Sequence, residues 1–535
     1  MGLLLESALT SLGAQTKISG HCGRILSGRG VAYYLQKDFL DAIEEGKMRY
    51  LFSVIALLTV CVALSLAQMA TGVANAKTEA EAEEEIARIV GYSMTRGGAS
   101  TFLETLTDTI GGRITGSPES QATAELILKA LKEADLENAH FEEYELGSVW
   151  RHGKTTGEVI SPAHHSLHIG SYGWVPGTHG PMEVPVADFG APASGRAPVP
   201  EEVRGAAVIV DQQSSGVSSA YAGARLMIAR QMAQAGAAAM FIVSDKPNRM
   251  VYTSAFGFYP RGPLPILSLA REDAALLRRL LAKGPVKVRL DVENSFGSSP
   301  GRERNVVAEI KGSEGGEMVL LTAHFDSWDA AQGANDNGAG VATVLEAARV
   351  LKALQVRPKH SIRFVFFSGE EQLANGSRAY VEQHNAELNN IRAMINSDAG
   401  AQLPLGLQLN GRQDLEAATK KLLKPLAPLG GDHISLDADF DSDHESFMVA
   451  GVPAYELLVE RGDYDVRHHT SVDTFEKIQP SMLGMHTAML AVIAYQFANA
   501  KERPGRRLSP TEVVELLRGA GLEPLYRLEY PDAKP

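Results

Sequence analysis

Between Asn305 and Ala500, continuously apolar segments alternate with segments of helical periodicity, and this alternation constrains the fold more than any other feature. Strands are predicted at NVVAEI, MVLLTAHF, SIRFVFFS, IRAMINSD and VPAYELLV. Helices are predicted at about 338–354, 377–384 and 480–500. Strands that are apolar at every position are expected where helices cover both faces of a sheet. The pattern therefore predicts an α/β fold, with a mixed central sheet and helices on both faces.

The chain of 535 residues is longer than one hydrophobic core usually organises. A first part of this α/β domain is predicted at 77–152 and a second part, with the functional residues, at 296–503. Residues 153–295 differ from both, because short apolar strands such as AAVIV and AMFIV are broken there by frequent Gly and Pro. They are predicted to form an inserted β-rich domain, and 504–535 are predicted to form a small helical tail.

Residues 48–76 have the pattern of a secretory signal peptide, with a basic start, an apolar run and small residues up to Ala76. The apolar run is slightly long, so an uncleaved membrane anchor is the alternative, and only then is a membrane expected as a partner. Residues 1–47 show neither periodicity nor motif and are interpreted as a misassigned start or an unstructured extension. The mature protein is expected to be extracytoplasmic, either secreted or periplasmic.

The composition excludes several classes of function. The formal net charge is −13 and no cluster of Lys and Arg is present, which argues against a nucleic-acid partner. The only cysteines, Cys22 and Cys61, precede the predicted mature chain. Disulfides, thiol catalysis and thiolate metal sites are therefore excluded from it, and any metal must be bound by histidine and carboxylate groups.

Polar residues collect where the predicted strands end. Ligand sites in open α/β sheets lie outside the carboxyl ends of strands, so these residues are expected to converge. They are His324 and Asp326, Glu370 and Glu371, Asp398 and His469, with Asp336 and Asn337 opening the helix after the first of these strands.

Each of these residues alone has an ordinary structural interpretation. Asp336 would cap a helix, His324 would be a hydrogen-bonded core histidine, and Asp398 would sit in a turn. The pair Glu370 and Glu371 would be solvated charge. These interpretations weaken together, because chance must place every one of them at a strand end with no Lys or Arg immediately beside it.

Adjacent carboxylates after an apolar strand suit metal-dependent hydrolysis, since one can bind a cation while the other handles a proton. Histidine and carboxylate ligands without thiolate favour zinc, although manganese or cobalt would fit the same ligands. Two metal ions about 3.5 to 4 Å apart need a bridging carboxylate. Asp336 is central in the sequence and fits that role.

The ordered motifs resemble those of the co-catalytic zinc aminopeptidases of clan MH. The resemblance covers roughly residues 85–500. It includes the early segment IGGRITGS and gives the insertion a protease-associated-like character. The motifs that carry it are AHFDSWDAAQGANDNGAGVATVLEAARVL, FVFFSGEEQLANGSRAY, NSDAGA, SDHESF and HHTSVDT.

The resemblance implies two zinc ions per chain, a water-activating base and action on short, unblocked peptides or dipeptides, with a homodimer plausible. Asp326 would support the ligands from behind the site. The implied roles are His324 and Asp398 for one zinc, Glu371 and His469 for the other, Asp336 as the bridge and Glu370 as the base.

Two assignments stay open in the sequence. His468 competes with His469, which is preferred because it immediately precedes the Thr-x-x-Asp-Thr pattern that follows the ligand in this family. Ser442, Asp443 and His444 match another family element, and they would equally serve to cap the helix around Phe447.

Other classes of function are weighed against the peptidase. A receptor-like, catalytically inactive relative would have lost ligands, and a glutaminyl-cyclase-like acyltransferase would use one metal ion. Preference for the amino or carboxyl end of a peptide stays undecided, because the candidate cations Arg461, Arg467 and Arg412 cannot be positioned from sequence.

Overall fold

The computed structural model describes residues 80–191, 200–211, 218–256 and 261–531. The predicted signal peptide at 48–76 and the predicted extension at 1–47 lie outside the described residues. The elements from Glu85 onward belong to one compact unit, Glu85–Pro535.

Eighteen strands are numbered β1 to β18 within the described residues. In chain order they are Glu137–Leu146, Trp150–Arg151, Thr155–Ser161, His165–Ser166, Ile169–Ser171, Met182–Gly190, Ala207–Asp211, Ala239–Val243, Ile266–Leu269, Lys287–Val292, Ser295–Phe296, Gly301–Ile310, Met318–His324, Ser361–Phe367, Ile391–Asn396, Pro404–Gln408, His433–Ser435 and Ala454–Val459.

The α-helices of the described residues are numbered α1 to α14, and short 3₁₀ turns and a π turn at Ala334–Gly338 lie between them. In chain order the helices are 80–96, Ala99–Thr109, Pro118–Glu133, Pro200–Val203, Ser218–Gln234, Arg271–Leu281, Ala339–Ala353, Asn375–Gln383, Glu416–Leu423, His444–Val449, Tyr464–Arg467, Pro480–Asn499, Pro510–Gly519 and Glu523–Glu529.

One sheet, called here the functional sheet because the predicted site residues follow its strands, has eight strands in the order β1-β12-β14-β13-β15-β18-β16-β17. Its four central strands, β14, β13, β15 and β18, run parallel to one another. The flanking strand β12 is antiparallel to β14, and the flanking strand β16 is antiparallel to β18. The predicted mixed central sheet is thus confirmed. Because the four central strands are parallel, their carboxyl ends meet at one edge.

Both faces of this sheet are buried, as the continuous apolar pattern predicts. Along β13, Val319 and Leu321 pack into the core on one face, while Met318 and Leu320 pack into the core on the other. The first core includes residues of α3, α7 and α12, and the second includes residues of α8, α10, α13 and α14. The fold class is therefore α/β with helices on both faces, as predicted.

Helix α12 passes through the first core. Among the described residues it is the one helix long and apolar enough to cross a membrane, and 67% of its most apolar stretch is buried inside the fold. Its apolar character is thus accounted for by packing, with Met489, Leu490 and Ile493 fully buried.

A second sheet of eight strands occupies the middle of the chain, in the order β4-β3-β10-β6-β7-β8-β9-β5. Its strands β6, β7, β8 and β9 are parallel. It has separate apolar clusters of its own on its two faces. Its likeness to a protease-associated domain remains a prediction.

The chain leaves the first sheet and returns to it at one place. Leu146 ends β1 and pairs with Gly301, the first residue of the antiparallel strand β12. Just beyond, β2 and β11 form a two-stranded ribbon in which Trp150 pairs with Phe296. The ends of the second sheet are therefore adjacent, and the sheet is an insertion between two neighbouring strands. The predicted boundaries at 153 and 295 fall next to this ribbon.

Leu321→Ala is expected to lower the free energy of unfolding by about 2–5 kcal/mol, because it leaves a cavity at the centre of the first core. Leu436→Ala is the matched control, since Leu436 is 41% exposed, and its effect is expected within about 0.5 kcal/mol. Urea unfolding followed by far-ultraviolet circular dichroism measures both. Equal destabilisation by the two substitutions would contradict the placement of β13 in the core.

Candidate metal centre

The side chains that the sequence places at strand ends converge at one edge of the functional sheet. His324 is the last residue of β13, Glu370 and Glu371 follow β14 by three and four residues, and Asp398 follows β15 by two. His469 lies in the loop after α11, and Asp336 lies in the π turn that opens α7. The parallel central strands thus bring distant parts of the chain to a common site.

Asp336 divides its carboxylate between two histidines. Its Oδ1 lies 3.4 Å from His324 Nε2, and its Oδ2 lies 3.1 Å from His469 Nε2. On the first side, His324 Nε2 is also 3.0 Å from Asp398 Oδ1. On the second side, His469 Nε2 is 3.0 Å from Glu371 Oε2. The five residues therefore form two groups that share one carboxylate.

The two adjacent histidines differ in their contacts. His468 Nε2 lies 3.6 Å from Asp336 Oδ2, and its ring stacks on Tyr464 and on His469. The His468 side chain is 32% exposed, against 12% for His469. Only His469 approaches both Asp336 and Glu371 among the described contacts, so the geometry favours His469 as the ligand.

Glu370 lies beside the cluster without the close approach of the other carboxylates. Its Oε2 is 3.9 Å from His324 Nε2. Burial raises the pKa of Glu370 well above its ordinary value, and the neighbouring carboxylates Asp398 and Glu371 add to the rise while His324 opposes it. A cation among these neighbours would lower it again. A carboxylate poised in this way can accept and return a proton.

Asp326 is fully buried and links three parts of the site. Its carboxylate accepts hydrogen bonds from the backbone N–H groups of Glu370 and Glu371, each at 3.3 Å. It also accepts a hydrogen bond from the Thr115 hydroxyl at 2.6 Å. His324 Nδ1 lies 3.1 Å from the Asp326 carbonyl oxygen and 3.5 Å from its carboxylate. Asp326 therefore orients the histidine ring and the Glu370–Glu371 turn together.

Three further residues hold the cluster, and the sequence interpretation missed them. Asp473 accepts hydrogen bonds from the backbone N–H groups of Asn335 and Asp336, at 2.6 and 3.1 Å. Glu456 accepts the backbone N–H of Asp398 at 2.9 Å. The Trp328 indole donates to Glu371 Oε2 at 2.6 Å, which is the third support.

Sequence signals for two of these residues existed. Asp473 is the aspartate of the Thr-x-x-Asp-Thr pattern, and Glu456 is a carboxylate inside the apolar strand β18. A buried strand carries a charged residue only when a partner satisfies it. Trp328 had no comparable signal, because a tryptophan after a strand is equally common in a core.

Two side chains of the early segment IGGRITGS, Arg113 and Thr115, support the site. Arg113 is fully buried and donates hydrogen bonds to the backbone carbonyls of Phe325, Gly333, Gln332 and Gly111, at 2.7 to 2.9 Å. Burial lowers the pKa of Arg113 to about 10, although nearby carboxylates oppose the change. Arg113 thus fixes the loop that leads from His324 to Asp336.

The segment Ser442, Asp443 and His444 lies at the start of α10, but the capping hypothesis gains no support there. No side-chain cap hydrogen bond occurs at the helix start. His444 is fully buried instead, with its ring nitrogens 2.9 Å from Asp439 and 3.3 Å from Glu456. His444 therefore braces Glu456, the residue that holds the backbone of Asp398.

The three candidate cations for substrate recognition are each paired with an acidic residue nearby in the chain. Arg461 pairs with Asp465 and Arg467 with Asp463, one helical turn apart, and both partners are largely exposed. Arg412 pairs with Asp414 at 2.8 Å. Among the described contacts, none of these arginines meets the five clustered residues.

The cluster fits metal ions on two grounds. Ligand atoms around a tetrahedral zinc ion at about 2.0–2.1 Å are about 3.3 Å apart, and the four shared contacts of the cluster span 3.0 to 3.4 Å. In addition, Glu371 Oε1 and His469 Nδ1 are buried without a hydrogen-bond partner. Carboxylates packed this closely need a cation to offset their repulsion.

An α/β sheet with histidine and carboxylate side chains clustered at its carboxyl edge is typical of metal-dependent hydrolases, and comparison with known proteins identifies the class as metallopeptidase. Residues 305–494 match the model of peptidase family M28. Carboxypeptidase Q of Xenopus laevis is 30% identical over 446 residues, which cover 80% of this chain and 92% of that protein. The chain belongs to peptidase family M28.

Other relatives and solved structures agree with this assignment. A probable leucine aminopeptidase 2 of Aspergillus oryzae is 31% identical over 238 residues, covering 42% of this chain and 47% of that protein. The crystal structure of a peptidase M28 precursor from Shewanella amazonensis has a TM-score of 0.70 at 25% identity, and it covers 80% of this chain and 99% of the other.

A zinc aminopeptidase from Bacillus subtilis shares the fold, with a TM-score of 0.60 at 21% identity, covering 77% of this chain and 97% of the other. The predicted family, the predicted metallopeptidase activity and the predicted zinc dependence are confirmed. The protein is a zinc-dependent exopeptidase of family M28.

Asp473→Ala is expected to weaken zinc binding about 10–100-fold, because the backbone of Asn335 and Asp336 would lose the acceptor that fixes the turn. Competition with a chromogenic chelator measures the zinc affinity. Asp432→Ala is the control, since Asp432 is exposed and its substitution also removes one carboxylate. An unchanged affinity in a folded Asp473→Ala protein would show that this turn needs no such support.

Proposed function

We propose that the protein is an exported exopeptidase with two zinc ions, which hydrolyses short peptides or dipeptides with free ends. The proposal rests chiefly on the shared carboxylate of Asp336, whose two oxygens face His324 and His469 separately. A single metal ion would account for only one of these two contacts. The geometry therefore supports a pair of ions with Asp336 between them.

The ligand assignment follows from the two groups of contacts. His324 and Asp398 would hold one zinc ion, and Glu371 and His469 would hold the other, with Asp336 as the common ligand. Zinc bound there would polarise the scissile carbonyl and increase the acidity of a water molecule. A cyclase-like enzyme with one metal ion would not use the shared carboxylate in this way.

Glu370 is proposed as the general base and acid of the reaction. It takes a proton from the attacking water, and a bond forms between the water oxygen and the scissile carbon. As the carbon–nitrogen bond breaks, Glu370 returns this proton to the leaving amine. Its neighbours support the role, because its backbone N–H is held by Asp326 while its side chain stays clear of the close contacts between ligands.

Export is proposed on the pattern of residues 48–76, which lie outside the described residues. The absence of cysteine after residue 61 suits an oxidising compartment, where a spare thiol is prone to oxidation. A homodimer is part of the same proposal. Size-exclusion chromatography with light scattering tests the oligomeric state, and amino-terminal sequencing of the exported protein tests cleavage after Ala76.

Glu370→Gln is expected to abolish turnover, by about 10²-fold or more, while zinc stays bound, because the substitution removes the proton acceptor but no ligand. Turnover of a dipeptide and the zinc content are measured on the same preparation. Glu382→Gln, an exposed position on α8, is the matched control and is expected to keep both. Loss of zinc from the Glu370→Gln protein would show that Glu370 is a ligand.

A panel of dipeptides, each also tested with its amino or carboxyl end blocked, is expected to show hydrolysis only of the unblocked peptides. A chelator is expected to stop turnover, and added zinc is expected to restore it, because the reaction requires bound metal and metal binding is reversible. Turnover that resists exhaustive removal of metal would contradict the metal-dependent mechanism. Equal hydrolysis of fully blocked peptides would contradict exopeptidase action.

A further inference from the structure

The inserted sheet approaches the metal centre at two places, and both lie on the side of Glu371 and His469. The first contact comes from residues 252 and 253, in the segment between β8 and β9. The second comes from residue 173, just after β5. None of residues 173, 252 and 253 is among the proposed metal ligands or is the proposed base. The role of these two contacts therefore needs a separate explanation.

The first contact holds the backbone and the ring of His469. The Thr253 backbone N–H donates to the His469 carbonyl at 3.1 Å, and the Tyr252 ring stacks on the His469 ring, with centroids 5.2 Å apart at 28°. His469 has a φ of 59°, in the left-handed region that is unfavourable for a residue with a Cβ. The contact therefore stabilises a conformation that the local chain disfavours.

The first contact is itself anchored in the inserted sheet. The Tyr252 backbone N–H donates to the Ser268 hydroxyl at 3.1 Å, and Ser268 lies on β9. His469 is thus tied through Tyr252 to a parallel strand of the second sheet. A movement of the second sheet would therefore displace the Tyr252 ring that supports His469.

The second contact acts on Glu371 through Trp328. The Trp328 indole, which donates to Glu371 Oε2, packs directly against Gly173, where a Cβ would lie only 2.2 Å from the ring. Trp174 meets the same ring edge-on, with centroids 6.1 Å apart at 88°. The position of the indole, and hence of the Glu371 carboxylate, depends on the inserted sheet.

The other half of the centre is supported differently. His324 is oriented by Asp326, and Asp398 by Glu456 through its backbone N–H. Glu456 lies on β18 and Asp326 lies two residues after the end of β13, so neither support comes from the second sheet. Among the described contacts, none joins residues 155–292 to His324 or Asp398.

We infer that the inserted sheet is a positioning element for one of the two metal sites, the one formed by Glu371 and His469. This inference rests on the proposed pair of zinc ions. Tyr252 positions His469, and Gly173 positions Glu371 by setting the place of the Trp328 indole. The two sites therefore differ in what holds them, and loosening the insertion weakens one site while the other keeps its affinity.

The test measures zinc affinity in two backgrounds that each retain one metal site. In Asp398→Asn, which damages the His324 site, Tyr252→Ala is expected to weaken the remaining zinc about 10–100-fold. In His469→Ala, which removes the other site, Tyr252→Ala is expected to leave the remaining zinc unchanged. Tyr252→Phe keeps the stacked ring and is expected to restore the affinity in the first background.

Two further variants separate positioning from general damage. Gly173→Ala displaces the Trp328 indole and is expected to weaken the same zinc ion by a different route. Met182→Ala removes a partly buried side chain from the second sheet at a distance from both contacts and is expected to change neither affinity. Cobalt substitution provides an independent reading, because its absorption band should shift only in the Asp398→Asn background.

The outcomes distinguish this inference from the proposal beneath it. If the unaltered protein binds a single zinc ion, the two-zinc proposal fails and this inference fails with it. If the unaltered protein binds two and Tyr252→Ala changes neither affinity, or changes both equally, the inference is wrong while the two-zinc proposal stands. Selective weakening of the Glu371–His469 site by both Tyr252→Ala and Gly173→Ala supports it.

Discussion

Asp336 presents one carboxylate oxygen to His324 and the other to His469, and this division sets the spacing of the residues around it. The turn that carries Asp336 is held by Asp473, and the loop that leads to it is held by the buried guanidinium of Arg113. Neither residue touches both halves of the cluster. They act by fixing the backbone of the one residue that does, so a small displacement of Asp336 would disturb both halves together.

The charges at the carboxyl edge of the functional sheet also indicate that the cluster binds cations. The pKa of Glu371 is raised to about 7, because burial and the neighbouring Asp336 carboxylate raise it more than His469 lowers it. Arg113 is a cation close to these groups, but its N–H groups are directed at backbone carbonyls. The carboxylates therefore depend on bound cations for neutralisation. Protons would neutralise the same carboxylate oxygens instead. Protons and metal ions therefore compete for these groups, and metal binding weakens as the pH falls.

The apolar runs were enough to predict the α/β class and the edge where polar residues meet, because strand direction fixes which ends converge. They could not predict the supports. Thr115 and Asp326 are 211 residues apart and meet only through tertiary packing. The choice between His468 and His469 likewise needs three-dimensional geometry, since the two rings stack on each other and differ in how closely they approach Asp336 and Glu371. Glu456 was predictable in principle, because a carboxylate inside an apolar strand requires a partner.

The ribbon where the insertion leaves the functional sheet carries Trp150, and it packs with Trp174 and Trp328 in one cluster. These are the three tryptophans of the whole chain. One of them donates directly to the Glu371 carboxylate. The tryptophan fluorescence of the protein therefore originates entirely from the junction between the two sheets, next to the metal centre. Tryptophan fluorescence can thus report on changes at this junction, with no background signal from a distant indole.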